Sequence, residues 1–296
     1  MVKSRYHYDP STPAAVVAAA CFCLGALLTT YQWLRHRSWV WVIMVVASWM
    51  EGIGYIARIL SINDQTKKTL YILQFALIVL APVLMAAGCY IIFGRIVFHV
   101  VPKESRTLKL LWISPRWLTP IFVICDIVAL LLQMVGAIKI TSVDATDKDA
   151  ADKINQGKRI AEIGVAVQLI CFGFFSIIAV RFNFTSKRFK NKFEERIALE
   201  GQSGKYVTVD GAEKKLKKNW QAILRVTNIA SLCVLVRSVY RMVEFSLGPT
   251  GYTGHHEWCM YVFDALTIYP VVALFIYWFP GNYLPYLGFR LPKQAR

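Results

Sequence analysis

Seven long apolar runs, separated by polar segments, organise the chain. Each run has about 20 residues or more, which is the length that a helix needs to cross the hydrocarbon core of a bilayer. The pattern therefore predicts an all-α polytopic membrane protein, folded as a single seven-helix membrane domain over residues 1–296. The predicted spans are residues 14–34, 39–60, 70–99, 117–140, 160–182, 220–247 and 257–279.

The composition favours the same class of protein. Hydrophobic residues make up 56% of the chain and charged residues 18%, and the mean hydropathy is +0.44. A soluble domain of this length has no use for several apolar runs of spanning length. The seven cysteines show no metal-ligand spacing, and at least six lie within predicted spans. We therefore expect them to pack as small apolar side chains rather than to form disulfides.

The distribution of the net charge of +16 predicts the orientation. Lysine and arginine concentrate in the first, third and fifth loops and in the tail, whereas the sixth loop has none. Because cytoplasmic loops are enriched in these residues, we expect the N-terminus outside and the C-terminus in the cytoplasm of a multi-pass protein of the plasma membrane. The basic cytoplasmic loop is residues 183–219, and its segment 187–196 is expected to bind anionic lipid of the inner leaflet. Since the basic charge lies in loops, no nucleic-acid partner is expected.

The second span contains charged residues at membrane depth. Glu51, Tyr55 and Arg58 are spaced so that they share one face of a helix. An ionisable side chain at the centre of a bilayer costs about 2.5–3.5 kcal/mol on insertion scales, so it normally faces the bundle interior or a wet cavity. Two interpretations remain open for this face: an internal ion pair that fixes helix packing, or the wall of a polar cavity.

Other polar residues lie at a similar depth, in the outer half of the predicted bundle. Two arginines of the sixth span need carboxylate partners, and Glu51, Asp126 and Asp264 have suitable depths. Pro82 is expected to bend the third span and to free a carbonyl. Together these side chains predict a ligand-binding cup that opens outward. Besides the three residues of the second span, its candidates are Gln74, Asp126, Gln133, Gln168, Arg237, Arg241, Glu244 and Asp264.

The sequence lacks the side-chain arrangements that catalysis inside a membrane would need. A zinc hydrolase inside a membrane needs several intramembrane histidines, but all five histidines lie at or outside the predicted membrane edges. The seventh predicted span has no lysine for a retinal Schiff base, and no serine has the histidine support of a nucleophile. We therefore expect a protein that is not an enzyme, with no catalytic residues, no metal and no cofactor.

The motif Glu51-Gly-Ile-Gly-Tyr55-x-x-Arg58 resembles the second-helix signature of the fungal lipid-translocating exporter family. These RTA-like seven-helix membrane proteins are linked to resistance to aminocholesterol and sphingoid bases. A histidine usually precedes Pro-Gly in the family, but Phe279 stands there in this chain, before Pro280. The likeness covers nearly the whole chain and continues at Gln74, Ala81-Pro82, Ala86-Ala87, Tyr90, Arg95, Asp126, Gln133, Gly136, Gly164, Gln168, Arg237-x3-Arg241-x2-Glu244 and Glu257-x3-Tyr261-Val-Phe-Asp264.

The resemblance implies a protein that binds and translocates or exports amphiphilic lipids, such as sphingoid long-chain bases and sterol-like compounds. The partner is then a membrane lipid or an amphiphilic small molecule. The chain has no ATPase motif, so a gradient or a partner would have to drive any pumping. Two alternatives stay open: a receptor with GPCR-like topology that senses lipid and signals through the basic loops, and a scaffold that acts on lipid asymmetry indirectly. The oligomeric state is not indicated.

Overall fold

Seven helices of spanning length confirm the predicted fold class. The computed structural model describes residues 10–36, 38–64, 68–102, 111–141, 150–189, 191, 206–207, 213–214, 219–247 and 251–284. Within these residues, seven helical segments are long and apolar enough to cross a membrane. The chain is therefore an integral multi-pass membrane protein. The first six spans are formed by α1 (Thr12–His36), α2 (Val42–Asn63, after a 3-10 turn at Trp39–Trp41), α3 (Lys68–Val100), α4 (Pro115–Thr141), α5 (Ala150–Thr185) and α6 (Trp220–Leu247).

The seventh span is an interrupted helix. After the short α7 (Tyr252–His255) it begins as α8 (Glu257–Met260), passes through a π-helical segment (Tyr261–Ala265) and continues as α9 (Leu266–Tyr277). A 3-10 turn at Pro280–Asn282 follows. In the described part of the fifth loop, two short strands pair antiparallel: β1 (Tyr206–Val207) and β2 (Glu213–Lys214).

Span five differs from its prediction at both ends. Helix α5 begins at Ala150, ten residues before the predicted start at residue 160, and the mostly polar residues 152–159 that precede the apolar run are mostly exposed. At its other end the α-helix stops at Thr185, three residues beyond the predicted end at residue 182, and a 3-10 turn (Ser186–Phe189) follows. Lys187 and Arg188 are exposed there, while Phe189 packs against the core. Residues 192–205 lie outside the described part of the chain, so lipid binding by segment 187–196 stays a prediction.

Consecutive spans run antiparallel, which gives the bundle two distinct ends. We call the end where α2, α4 and α6 finish the distal end, and the opposite end the proximal end. At the distal end the backbone N–H of Ser11, before α1, donates to Glu257 at the start of the seventh span. At the proximal end Gln32, late in α1, donates to the carbonyl of Ile276, late in α9. The predicted orientation, with the distal end outside the cell, is not tested by these contacts.

The proximal half of the interior is an aromatic core. Tyr90 and Phe93 of α3 pack against Phe122 of α4 and Phe175 and Phe182 of α5, with ring centroids 4.6–5.5 Å apart. Buried hydroxyl groups in this half donate to carbonyls of their own helices, as at Ser48, Thr29, Thr227 and Ser231. The outer faces expose many isoleucine, leucine and valine side chains, as a bilayer requires. The charged residues that are buried as a whole lie elsewhere, from the middle of the bundle to its distal end: Glu51, Arg58, Asp126, Arg237, Arg241 and Asp264.

Helices α4 and α5 cross closely along a seam of glycines. A Cβ atom built on Gly136 would lie 2.6 Å from the carbonyl oxygen of Gly157, and one built on Gly164 would lie 2.7 Å from that of Ala129. Only hydrogen fits at such distances, so the glycines let the two backbones touch. The contact holds Asp126 and Gln133 of α4 at a fixed height against Gln168 of α5.

Candidate functional site

Asp264 is the centre of the charged interior. It lies in the π-helical segment of the seventh span, is 1% exposed, and accepts hydrogen bonds from both Arg237 and Arg241 of α6. The two arginines are one helical turn apart, so one carboxylate can take a guanidinium on each of its oxygens. Such π-helical turns often occur at functional sites. This three-residue cluster joins the sixth span to the seventh.

Arg237 also binds the third span. Its Nη2 donates to the carbonyl oxygen of Ile78 at 2.6 Å. Ile78 stands four residues before Pro82, which lies inside α3 and has no N–H to complete the helical hydrogen bond. The carbonyl that the proline frees is therefore used by the arginine of another helix.

Arg241 has a second carboxylate partner on its own helix. Its Nη1 lies 2.7 Å from Oε2 of Glu244, whose side chain is 30% exposed. The two arginines of α6 are thus matched by two carboxylates, Asp264 and Glu244. The cluster is electrically balanced without any other group.

A second network lies at the distal end. Arg58, at the end of α2, lies 2.6 Å from Oε1 of Glu257 and donates through Nε to the hydroxyl of Tyr261 at 3.2 Å. The Tyr261 hydroxyl lies 3.3 Å from the same carboxylate, and the Ser11 N–H donates to its other oxygen at 2.6 Å. The first, second and seventh spans are therefore tied together at one point.

Glu51 and Tyr55 lie between the two networks without joining either. Glu51 is 1% exposed, and its Oε1 accepts no hydrogen bond from any residue that the structure describes. The hydroxyl of Tyr55 is likewise buried without a partner among those residues. The Tyr55 ring stacks on Phe22 with centroids 5.4 Å apart and faces the Tyr261 ring at 6.4 Å. The face predicted from the spacing of Glu51, Tyr55 and Arg58 is buried in the bundle.

Asp126 is the second interior carboxyl group that no arginine contacts in the described residues. The Tyr90 hydroxyl donates to its Oδ2 at 2.8 Å, while its Oδ1 is buried without a partner in the described chain. The partly buried thiol of Cys171, on α5, interacts electrostatically with this carboxyl group.

A small polar cavity adjoins the arginines. The Nε2 atom of Gln133 donates to Oε1 of Gln168 at 2.9 Å, and both side chains line the cavity with Arg237 and Arg241. Its volume is about 20 Å³, which is room for about one water molecule. Gln74 of α3 is also buried. No three histidine, cysteine or acidic side chains of the described residues come together in a way that could hold a metal ion.

A family model described as RTA1 like protein matches residues 44–286, which include every residue of these networks except Phe22 and Ser11. The chain belongs to the RTA1-like family. The resemblance that the sequence suggested is thereby confirmed, and it extends to the arginine cluster and to the distal network.

Relatives in the RTA1-like family include proteins with transport names. Protoporphyrin uptake protein 1 of Saccharomyces cerevisiae is 33% identical over 91% of this chain and 90% of the yeast protein. Sphingoid long-chain base transporter RSB1 of the same species is 25% identical over 87% of this chain and 69% of the relative. Probable lipid transporter atnI of Emericella nidulans is 25% identical over 98% and 70%. The last two of these fungal proteins support a lipid-transport role at the level of the family. No solved structure matches the chain.

Of the three carboxylates that the sequence offered as partners for the two arginines, one forms the ion pairs in this RTA1-like protein. Glu51, Asp126 and Asp264 were the carboxylates expected to match Arg237 and Arg241, but Asp264 alone of these three contacts both arginines. Glu51 and Asp126 have no salt bridge to an arginine in the described chain because Glu244 supplies the second negative charge from the same helix.

Three polar side chains that bond to predicted site residues were themselves absent from the predicted site: Glu257, Tyr261 and Tyr90. Each was part of the family resemblance, and Glu257 and Tyr261 stand four residues apart, as side chains that meet on a helix do. That spacing was a usable signal. The contacts of Arg58 with Glu257, 199 residues along the chain, had no local signal.

Proposed function

We propose that this chain binds amphiphilic lipids with a cationic head group, such as sphingoid long-chain bases, and moves them across the plasma membrane. The observation that carries the proposal is the pair of buried carboxyl groups, Glu51 and Asp126, that no arginine matches in the described residues. A buried carboxylate without a counter-ion costs folding free energy, so such a group inside a membrane usually has a role in function.

The charge balance favours a cationic head over an anionic one. A phosphate or carboxylate head would have to displace Asp264 or Glu257 from the arginines that they already contact. An ammonium head would meet Glu51 and Asp126 without breaking an ion pair. A cation therefore gains a charge-assisted hydrogen bond at these positions at no such cost.

The apolar surface beside Asp126 suits the rest of such a molecule. Ile127 and Leu131 of α4 are exposed on the outside of the bundle, next in sequence to the turn that holds the carboxyl group. A lipid tail can therefore stay against the outer face of α4 while its head reaches inward. An amphiphile is the class of ligand that uses both surfaces at once.

Binding at these residues requires the bundle to open. The cavity of about 20 Å³ is too small for a lipid head group. The bridge from Arg58 to Glu257 ties the second span to the seventh, and the Ser11 N–H adds the start of α1. We propose that these contacts close the distal end and part when the lipid enters or leaves.

The proposal is tested with purified protein in liposomes that contain a fluorescent sphingoid base. The protein is expected to speed the movement of the base between leaflets, and Glu51→Gln and Asp126→Asn are each expected to reduce that rate. Glu162→Gln is the matched control, because Glu162 is a partly exposed residue of α5 that pairs only with Lys158 in the described chain. It should move the base at the wild-type rate.

Stability measurements separate a ligand site from structural charges. The sphingoid base should raise the melting temperature of the wild type and raise that of the two variants less. If the variants lose folded protein in proportion to activity, and the base does not protect the wild type, the carboxyl groups are structural and the proposal is wrong. If the base binds but is not moved, the receptor alternative replaces the transporter. Surface biotinylation of intact cells tests the proposed plasma-membrane location.

A further inference from the structure

We infer that Glu51 exchanges a proton for the cationic head of the lipid, so that a pH gradient drives transport. This inference rests on the proposed function and adds its source of energy. The exchange is one for one: the neutral acid gives up its proton as the cationic head arrives, and the carboxylate takes a proton back as the head departs. Glu51 therefore never holds the proton and the lipid head at the same time, and the proton and the lipid cross the membrane in opposite directions.

The surroundings of Glu51 supply the first argument. Its carboxyl group is faced by Arg237 and Arg241 from α6 and by Asp264 from the seventh span. Tyr55 stands one turn along its own helix, with a buried hydroxyl group. From α1, the thiol of Cys23 lies against the adjacent Gly52. Glu51 Oε1 accepts a hydrogen bond from none of these groups.

The balance of charge supplies the second argument. The two arginines are already matched by two carboxylates: Asp264 contacts both, and Glu244 contacts Arg241. An ionised Glu51, which is 1% exposed, would add a third negative charge beside these two positive ones. Burying an unmatched charge is far more costly than burying a neutral acid, so the empty site favours the protonated form. A bound ammonium head supplies the missing positive charge and favours the carboxylate.

Asp126 differs from Glu51 in a way that assigns the exchange to Glu51. The Tyr90 hydroxyl donates to Asp126 at 2.8 Å, so one oxygen of that carboxyl group keeps a donor whether or not a lipid is bound. No donor among the described residues reaches Oε1 of Glu51. Asp126 is therefore a contact for the head group, and Glu51 is the group that gives up and takes back the proton.

The first experiment counts protons. The probe is a long-chain base whose nitrogen is trimethylated, since its charge is fixed and it has no ammonium proton of its own to release. It is added at saturating concentration to purified protein in weakly buffered detergent with a pH indicator, and the amount bound is measured in parallel. The wild type, Glu162→Gln and Asp126→Asn are expected to release about one proton per bound probe. Glu51→Gln is expected to release none.

The second experiment needs no variant, so it tests proton exchange even if Glu51→Gln fails to bind the probe or to fold. Wild-type protein in liposomes is given a pH difference across the membrane, and the same probe is placed at equal concentration on both sides. Net accumulation is expected on the acidic side, and reversing the pH difference should reverse the accumulation. Without the pH difference, no net accumulation is expected.

The outcomes distinguish this inference from the proposed function. Binding without proton release, together with movement that ignores the pH difference, would refute proton exchange and leave a passive lipid translocator. Undiminished release per bound probe from Glu51→Gln would assign the proton to another group and refute the role of Glu51. Neither binding nor movement of the probe or of the fluorescent sphingoid base at any pH would refute the proposed function itself.

Discussion

Arg237 donates a hydrogen bond to the carbonyl oxygen of Ile78, the carbonyl that Pro82 leaves without its helical donor. Proline inside a spanning helix is tolerated when a neighbouring helix satisfies the freed group. Here the same guanidinium also binds Asp264, so one side chain joins the third, sixth and seventh spans. The planar shape of arginine, with donors on several edges, allows both contacts at once.

The first prediction follows from that geometry. Arg237→Lys keeps the positive charge but offers a single ammonium group, which cannot reach Asp264 and the Ile78 carbonyl with the same alignment. The variant should lose about 1–3 kcal/mol of stability, because a buried polar group is left without a partner. The measurement is the melting temperature in detergent. Arg225→Lys makes the same change at an exposed position of α6 and should melt like the wild type. Equal melting of both variants would contradict the importance of the Ile78 contact.

The second prediction contrasts two interior carboxylates. Asp264→Asn removes the charge that two buried arginines share and should destabilise the protein by about 3–5 kcal/mol. Glu51→Gln strands no cation, since no arginine contacts Glu51 in the described residues. It should therefore keep nearly the wild-type yield and melting temperature. Size-exclusion profiles at increasing temperature measure both. A large loss of folded protein in Glu51→Gln would show that Glu51 is a structural charge.

The third prediction concerns the seam between α4 and α5. A Cβ atom at Gly164 would lie 2.7 Å from the carbonyl oxygen of Ala129 and 2.9 Å from Cγ of Gln133. Gly164→Ala should therefore push the helices apart and cost about 1–3 kcal/mol. Gly173→Ala on the same helix is the control, because its Cβ would meet only Cδ1 of Leu235 at 3.9 Å. It should be neutral or slightly stabilising, since alanine is the better helix former. Thermal unfolding in detergent compares the two.

The fourth prediction tests the orientation. Asn183-Phe-Thr185 has the form of a glycosylation sequon and lies at the proximal end of α5. The loop charges place that end in the cytoplasm, so Asn183 should carry no sugar when the protein is made in a eukaryotic cell. Digestion with an endoglycosidase followed by electrophoresis checks this. A shift in mobility that depends on Asn183 would reverse the orientation and turn the distal end toward the cytoplasm.

Much of the fold was predictable because spanning helices leave a strong and local signal. The run of apolar residues predicted the second span, and the spacing of Glu51, Tyr55 and Arg58 predicted which face of that helix is buried. The effect of Pro82 was also predictable, because the freed carbonyl follows from the covalent structure of proline. What the chain could not tell is which distant group would use that carbonyl.

The interior pairs were less predictable, because charge complementarity allows several solutions. Three carboxylates had depths suitable for Arg237 and Arg241, and only their positions in the bundle distinguish them. The π-helical segment decides for Asp264 by turning that residue toward α6. Such a segment has no reliable sequence signal. The open cup stays a prediction, since the depth of the polar residues alone cannot separate a cavity from closely paired charges.

The π-helical segment has a consequence for building hybrids between members of the family. A π turn holds one residue more than an α turn, so α8 and α9 present their side chains in two different registers. Deleting one residue from Tyr261–Ala265 would rotate everything on one side of the cut by about 100° relative to the other. Glu257 and Asp264 could then no longer face their arginines together. A hybrid should accordingly exchange the segment whole, with its junctions in α6 and in α9, or leave it untouched.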